Sequence, residues 1–135
     1  MRVFRLGAVG ALATFAAGCT SIAATSATFE NSAWRVAAIN DEATPALPNY
    51  RMAFEKGRVS GQFGCNHFGG DYRIRGETLT TGAVAMTEMA CSGPGDQFEG
   101  MGLAIIQRPM RLNWTSAQRL TLANPAGSIA LERLP

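Results

Sequence analysis

Between Trp34 and Leu131, apolar residues recur at alternate positions in short runs that glycines and charged residues interrupt. A period of two is the mark of a half-buried strand, because successive side chains point to opposite faces. Trp34, Val36 and Ala38 share one face of a first run, and Tyr50, Met52 and Phe54 share one face of a second. Lys56-Gly57 turns the chain into Arg58–Phe63, where Val59, Gly61 and Phe63 face inward and Arg58, Ser60 and Gln62 outward. Tyr72 and Ile74 alternate with outward Arg73 and Arg75, and Gly76 leads to Leu79 and Thr81, then Val84 and Met86. Leu112 and Trp114, Leu120 and Leu122, and Ile129 and Leu131 complete the set, with Asn124-Pro125 and Gly127 in the last turn. The pattern predicts about eight short antiparallel strands in a small barrel-like domain that is mainly β.

One stretch breaks the period. Asp96-Gln97-Phe98-Glu99 sets an aspartate three residues before a glutamate, in the manner of a capping box. Phe98, Met101 and Ile105 follow at helical spacing, and Pro109 stops the run. A single α-helix over 96–107 is expected, packed on the sheet or plugging one barrel end. Gly100 and Gly102 each weaken it by about 1 kcal/mol relative to alanine.

At 135 residues there is room for one domain and one modest core. The chain has 12 basic and 10 acidic residues, and Arg2 and Arg5 lie in the N-terminal segment. The remainder is neutral, which speaks against nucleic acid as a partner, since backbone binding needs concentrated basic surface.

The N-terminus reads as an address. Leu6–Ala17 carries no charge, is too short to span a bilayer, and follows the basic Arg2 and Arg5. Ala16-Ala17-Gly18 then leads to Cys19. This segment resembles a bacterial lipoprotein precursor, although Ala16 stands where leucine is commonest. The resemblance implies cleavage of residues 1–18, a lipid anchor on Cys19 (palmitate among its acyl chains) and, with Thr20 following, sorting to the outer membrane, facing the periplasm. Ordinary cleavage, leaving a soluble periplasmic or secreted protein, is the alternative. Residues 19–33 are small and polar and read as a flexible tether.

Cys65 and Cys91 are left as an even pair, which in an exported chain predicts a disulfide. The loop of about 26 residues is worth roughly 3–4 kcal/mol. Cys65 with His67 also has the makings of a nucleophile and its base, but the disulfide would consume the thiol. Zinc needs three or four ligands, and one histidine without a Cys-x-x-Cys is a poor set, so no metal and no cofactor are expected. Phosphate loops, serine hydrolase motifs and paired catalytic carboxylates are missing. The methionines Met52, Met86, Met89, Met101 and Met110 are expected mainly to fill the core.

Gly61–Tyr72 reads G-x-x-G-C-N-x-F-x-G-x-Y, and Thr87–Cys91 reads T-x-M-A-C. With Trp34 opening the first strand, these motifs resemble the META domain, the HslJ-like family, over 34–134. The resemblance implies a compact barrel-like domain without established enzymatic activity, associated with envelope stress. Gly61, Gly64, Asn66, Phe68, Gly70, Tyr72, Thr87 and Met89 then read as fold-defining residues. The expected function is a non-enzymatic envelope lipoprotein that binds a protein partner or a hydrophobic ligand at an unassigned site. A passive structural module is the alternative, and an enzyme using Cys65 and His67 is the remote one.

Overall fold

The computed structural model describes residues 29–135. The cleaved segment read over 1–18, Cys19 and most of the tether lie outside the described residues. The chain runs β1 (Ser32–Ile39), β2 (Glu42–Ala43), β3 (Tyr50–Glu55), β4 (Arg58–Phe63), β5 (His67–Arg75), β6 (Thr78–Thr81) and β7 (Ala85–Met86). The helix α1 (Pro94–Ile106) follows, then β8 (Met110–Ser116), β9 (Arg119–Asn124) and β10 (Gly127–Arg133). Eight strands pair in the order β10-β9-β8-β6-β5-β4-β3-β1, and a β1–β10 pairing closes the ring. The two-residue strands β2 and β7 lie beside it, on β1 and β5. Closure leaves the eight strands without a free edge, which removes the template for edge-to-edge association.

The alternation expected for β3 and β4 holds: Tyr50, Met52, Phe54, Val59 and Phe63 are buried, while Arg51, Glu55, Arg58 and Ser60 are exposed. In β1 it holds only to Val36. A bulge against β10 between Val36 and Ala38 shifts the phase, so Ile39 enters the core in place of Ala38. Met52 and Met110 are fully buried and Met101 is partly so, but Met86 is 39% and Met89 56% exposed. The expectation of a methionine-filled core therefore fails for those two. They sit in the segment after β6, which pairs with β5 over two residues at β7 and is otherwise held through its main chain and Thr87, leaving both methionine side chains outside.

Both ends of the barrel are plugged, by different elements. At one end lies α1, which buries Phe98, Ile105 and Ile106. Gly102 faces the Phe63 ring, and a Cβ there would sit 2.6 Å from Phe63 Cε2, so glycine lets helix and sheet approach. The last helical carbonyls are satisfied by neighbours: Asn124 Nδ2 donates to Ile105 O at 2.8 Å, and Thr81 Oγ1 donates to Ile106 O. Asp96 does not cap. Gly93 is the N-cap, with no side-chain hydrogen bond, Pro94 begins the helix, and Asp96 lies in its first turn. The helix thus starts two residues before the expected position.

The opposite end is closed by Phe29, from the stretch that reads as tether. Phe29 is fully buried, edge-on to Phe54 at 4.6 Å between ring centroids and to Trp114 at 5.5 Å. Trp34 joins them, 6.1 Å from Phe29 and 5.7 Å from Trp114. Glu30 adds a polar latch, accepting a hydrogen bond from Tyr72 Oη at 2.5 Å. The folded domain therefore begins at least at Phe29. A single aromatic in a polar stretch has no periodicity to reveal it; tertiary contact alone places it.

Candidate functional site

The two motifs meet at Asn66, in the turn between β4 and β5. Its side-chain amide behaves as a peptide group laid against residue 89. Oδ1 accepts from Met89 N–H at 2.7 Å, and Nδ2 donates to Met89 O at 3.2 Å. Oδ1 also accepts from Thr87 Oγ1 at 3.0 Å, and Nδ2 also donates to Glu99 Oε2 at 3.1 Å. All four hydrogen-bonding positions of the amide are filled, which fixes which end is oxygen. The backbone N–H of Asn66 donates to Glu99 Oε1 at 2.7 Å.

Thr87 ties the same loop a second time. Its Oγ1 accepts from His67 N–H at 3.1 Å, and its own N–H donates to His67 O at 3.0 Å. The disulfide Cys65–Cys91, with Cα atoms 6.1 Å apart, brackets the clasp from both sides. Thr87 thus acts through its hydroxyl, Met89 through its main chain and Glu99 through both carboxylate oxygens. Glu99 reads in sequence as half of a capping box; instead it reaches across to the β4–β5 turn.

The remaining motif residues shape the barrel around this node. Gly64 has φ +105, and a Cβ there would lie 2.6 Å from Tyr50 Oη and 2.7 Å from Gly95 Cα. Only glycine accommodates both the left-handed backbone and the approach of the helix start. Gly61 faces Phe68, whose Cζ would lie 2.8 Å from an added Cβ, and Phe68 stacks on Phe63 at 4.7 Å. At Gly70 a Cβ would come within 2.9 Å of Ala83 O. Tyr72 rests edge-on against Phe54 at 5.1 Å. Burial and its bond to Glu30 together push the Tyr72 phenol well above its ordinary range. That same bond holds the Glu30 carboxyl below the usual carboxylate range.

The chemical options of the node follow from what its atoms already hold. Ligand atoms of Cys65, Cys91 and Glu99 lie within 4.8 Å of one another. A metal would need the thiolates, here joined to each other, and the carboxylate oxygens, here taken by Asn66. His67 points away from the core, exposed, and the thiol it would activate is in the disulfide.

Elsewhere the surface carries concave regions. One, of about 330 Å³, runs between the β2–β3 loop, the outer face of β1 and β3, and the C-terminal Leu134. Another, of about 370 Å³, lies over β5 and β6 beside Arg73, Arg75, Thr78 and Thr80.

A solved structure, described as the NMR structure of the protein from Burkholderia xenovorans, is similar over 94% of this chain and 99% of its own. Its TM-score is 0.63 at 21% identity. A second NMR structure matches 76% of this chain and 88% of its own, with TM-score 0.64 and 21% identity. At such identity the likeness concerns the fold. Comparison with curated proteins gives no match. The META domain family model matches residues 27–133, taking in Phe29 and both halves of the Asn66 clasp, and the chain belongs to the META domain family.

Proposed function

We propose that this chain is a non-enzymatic envelope lipoprotein, anchored through Cys19, whose META barrel works by surface binding of a partner or an apolar ligand. The observation that carries the reading is the satisfied state of the motif: the groups that suggest chemistry in sequence bond one another. Asn66 fills every position, Glu99 uses both oxygens, and the two sulfurs are joined. Such a network rigidifies a fold and leaves the outer wall as the place for contacts. The aromatic and helical plugs favour contact from outside over occupancy of the interior. Among the described residues no helix is long and apolar enough to cross a membrane.

Crosslinking in intact envelopes followed by affinity capture tests the binding half. Enrichment of one partner, or of one co-purified apolar molecule, across stress conditions is expected; their absence defeats it and favours a passive structural module. Intact mass of the membrane-extracted protein tests the anchor, and an unmodified Cys19 overturns it.

A further inference from the structure

On the outer wall, Arg35 of β1 and Arg51 of β3 are direct cross-strand partners. Like charges opposite each other on one face are destabilising unless something neutralises them. Arg35 has its counter-ion: Arg35 Nη2 lies 2.7 Å from Glu132 Oε2, across the β1–β10 pairing. That contact holds the Glu132 carboxyl below its usual range. Arg51 is exposed and has no hydrogen-bond or ion-pair partner among the described residues. One positive charge is left uncompensated beside the pair.

The same two arginines border the groove of about 330 Å³, whose other walls are Ala46, Leu47, Pro48, Tyr50 and Leu134. Leu47 is 54% exposed and Leu134 38%, both large apolar side chains left facing water on its rim. The volume falls at the small end of ligand sites, which are mostly apolar with a few placed polar groups. A neutral apolar ligand would leave the arginine pair unrelieved, and a cationic one would worsen it. An anionic head joined to an aliphatic chain satisfies both features at once.

We infer that this groove binds single-chain anionic amphiphiles, with the head on Arg51 and Arg35 and the chain along Leu47, Pro48 and Leu134. The inference rests on the surface-binding reading above and gives it a site and a ligand class. It does not depend on the anchor. A carboxylate or phosphate head suits the guanidinium fork, so a free fatty acid and a lysophospholipid share the required chemistry.

The test uses the unacylated full chain, titrated with dodecanoate and with dodecyl phosphate below their micelle concentrations. The leucine methyl signals in NMR are the readout. Leu47 and Leu134 methyls are expected to shift and saturate with either ligand, and the tighter of the two identifies the source. Arg51→Gln and Leu47→Ser, both on the surface, should each weaken binding about tenfold without lowering Tm. Shortening the chain should weaken it by about fourfold per methylene removed from the groove. Equal binding of dodecyltrimethylammonium overturns the inference, as does unaltered affinity in both variants. Methyl signals that move with protein concentration and not with dodecanoate mark a second copy as the occupant and also overturn it. Capture of a protein partner with no dodecanoate response removes this site while leaving the broader binding reading standing.

Discussion

Glu99 on the helix receives two hydrogen bonds from Asn66, one from the backbone N–H at 2.7 Å and one from Nδ2 at 3.1 Å. Both partners are buried, so each lost bond leaves a donor away from water, at about 1–3 kcal/mol. Glu99→Gln is isosteric but presents an NH2 to one of the two donors. We expect it to lower unfolding free energy by roughly 1–3 kcal/mol in urea. Asn66→Asp should cost more, because it loses Nδ2 and sets a carboxylate against Glu99. If Glu99→Gln unfolds with the wild-type midpoint, the clasp does not hold the helix to the turn.

The disulfide and the clasp lie side by side and are separable. Replacing Cys65 and Cys91 together with serine should reduce stability by about 3–4 kcal/mol, the value for a loop of this length. Reducing agent should lower the wild-type Tm to that of the double variant and leave the variant unmoved. A wild-type Tm insensitive to complete reduction, verified by thiol counting, contradicts this.

Phe29 sets where the domain begins. Its ring fills the end of the barrel opposite the helix, against Phe54, Trp34 and Trp114. Phe29→Ala should destabilise by about 3–5 kcal/mol, the usual range for a buried aromatic. It should also increase exposure of the two tryptophans, read as a red shift in their emission. An effect below about 1 kcal/mol would return the residue to the tether.

What the sequence disclosed, and what it hid, follows from the range of the forces involved. Strand alternation is local, so Tyr50, Met52, Phe54, Val59 and Phe63 are legible as one wall of a core. The even cysteine pair is arithmetic, and it is found joined. Phe29 and Glu99 escaped because their partners lie far along the chain: Phe54 and Trp114 for one, Asn66 for the other. A bulge at Ala37 exchanged Ala38 for Ile39 without any glycine to announce it. Met86 and Met89 illustrate the converse: apolar residues in a loop that the clasp holds through its backbone and Thr87, leaving their side chains outside.

Gly102 is unfavourable for a helix yet required by packing. Alanine there gains about 1 kcal/mol of propensity. Its Cβ would collide with the Phe63 ring, and overpacking of this kind costs about 1–3 kcal/mol. Gly100 has open space at the same point, so Gly100→Ala should stabilise while Gly102→Ala destabilises. Thermal unfolding of the two single variants checks the difference in sign, and equal gains in both contradict the close approach.

The Glu30–Tyr72 latch should narrow the pH range of stability at both ends. Glu30 has a lowered folded pKa, chiefly through the Tyr72 hydrogen bond, so its contribution is present above the unfolded value near 4.5 and disappears as pH falls through the folded one. Tyr72 has a raised folded pKa, chiefly through burial and then through Glu30. Its contribution is present below the ordinary phenol value near 10.0 and is lost as pH rises beyond it, because the native state then holds the proton that the unfolded chain releases. Tyr72→Phe should therefore flatten the alkaline limb of a Tm against pH curve, apart from what buried Tyr50 adds, and shrink the acid limb, leaving the share of Glu132 and the part of Glu30 that its backbone bonds from Gly57 and Lys56 sustain. Glu30→Gln should remove its acid contribution but only part of the alkaline one, since burial of Tyr72 persists. An alkaline limb identical in wild type and Tyr72→Phe would show that this phenol is not shielded by the Phe29 end of the barrel.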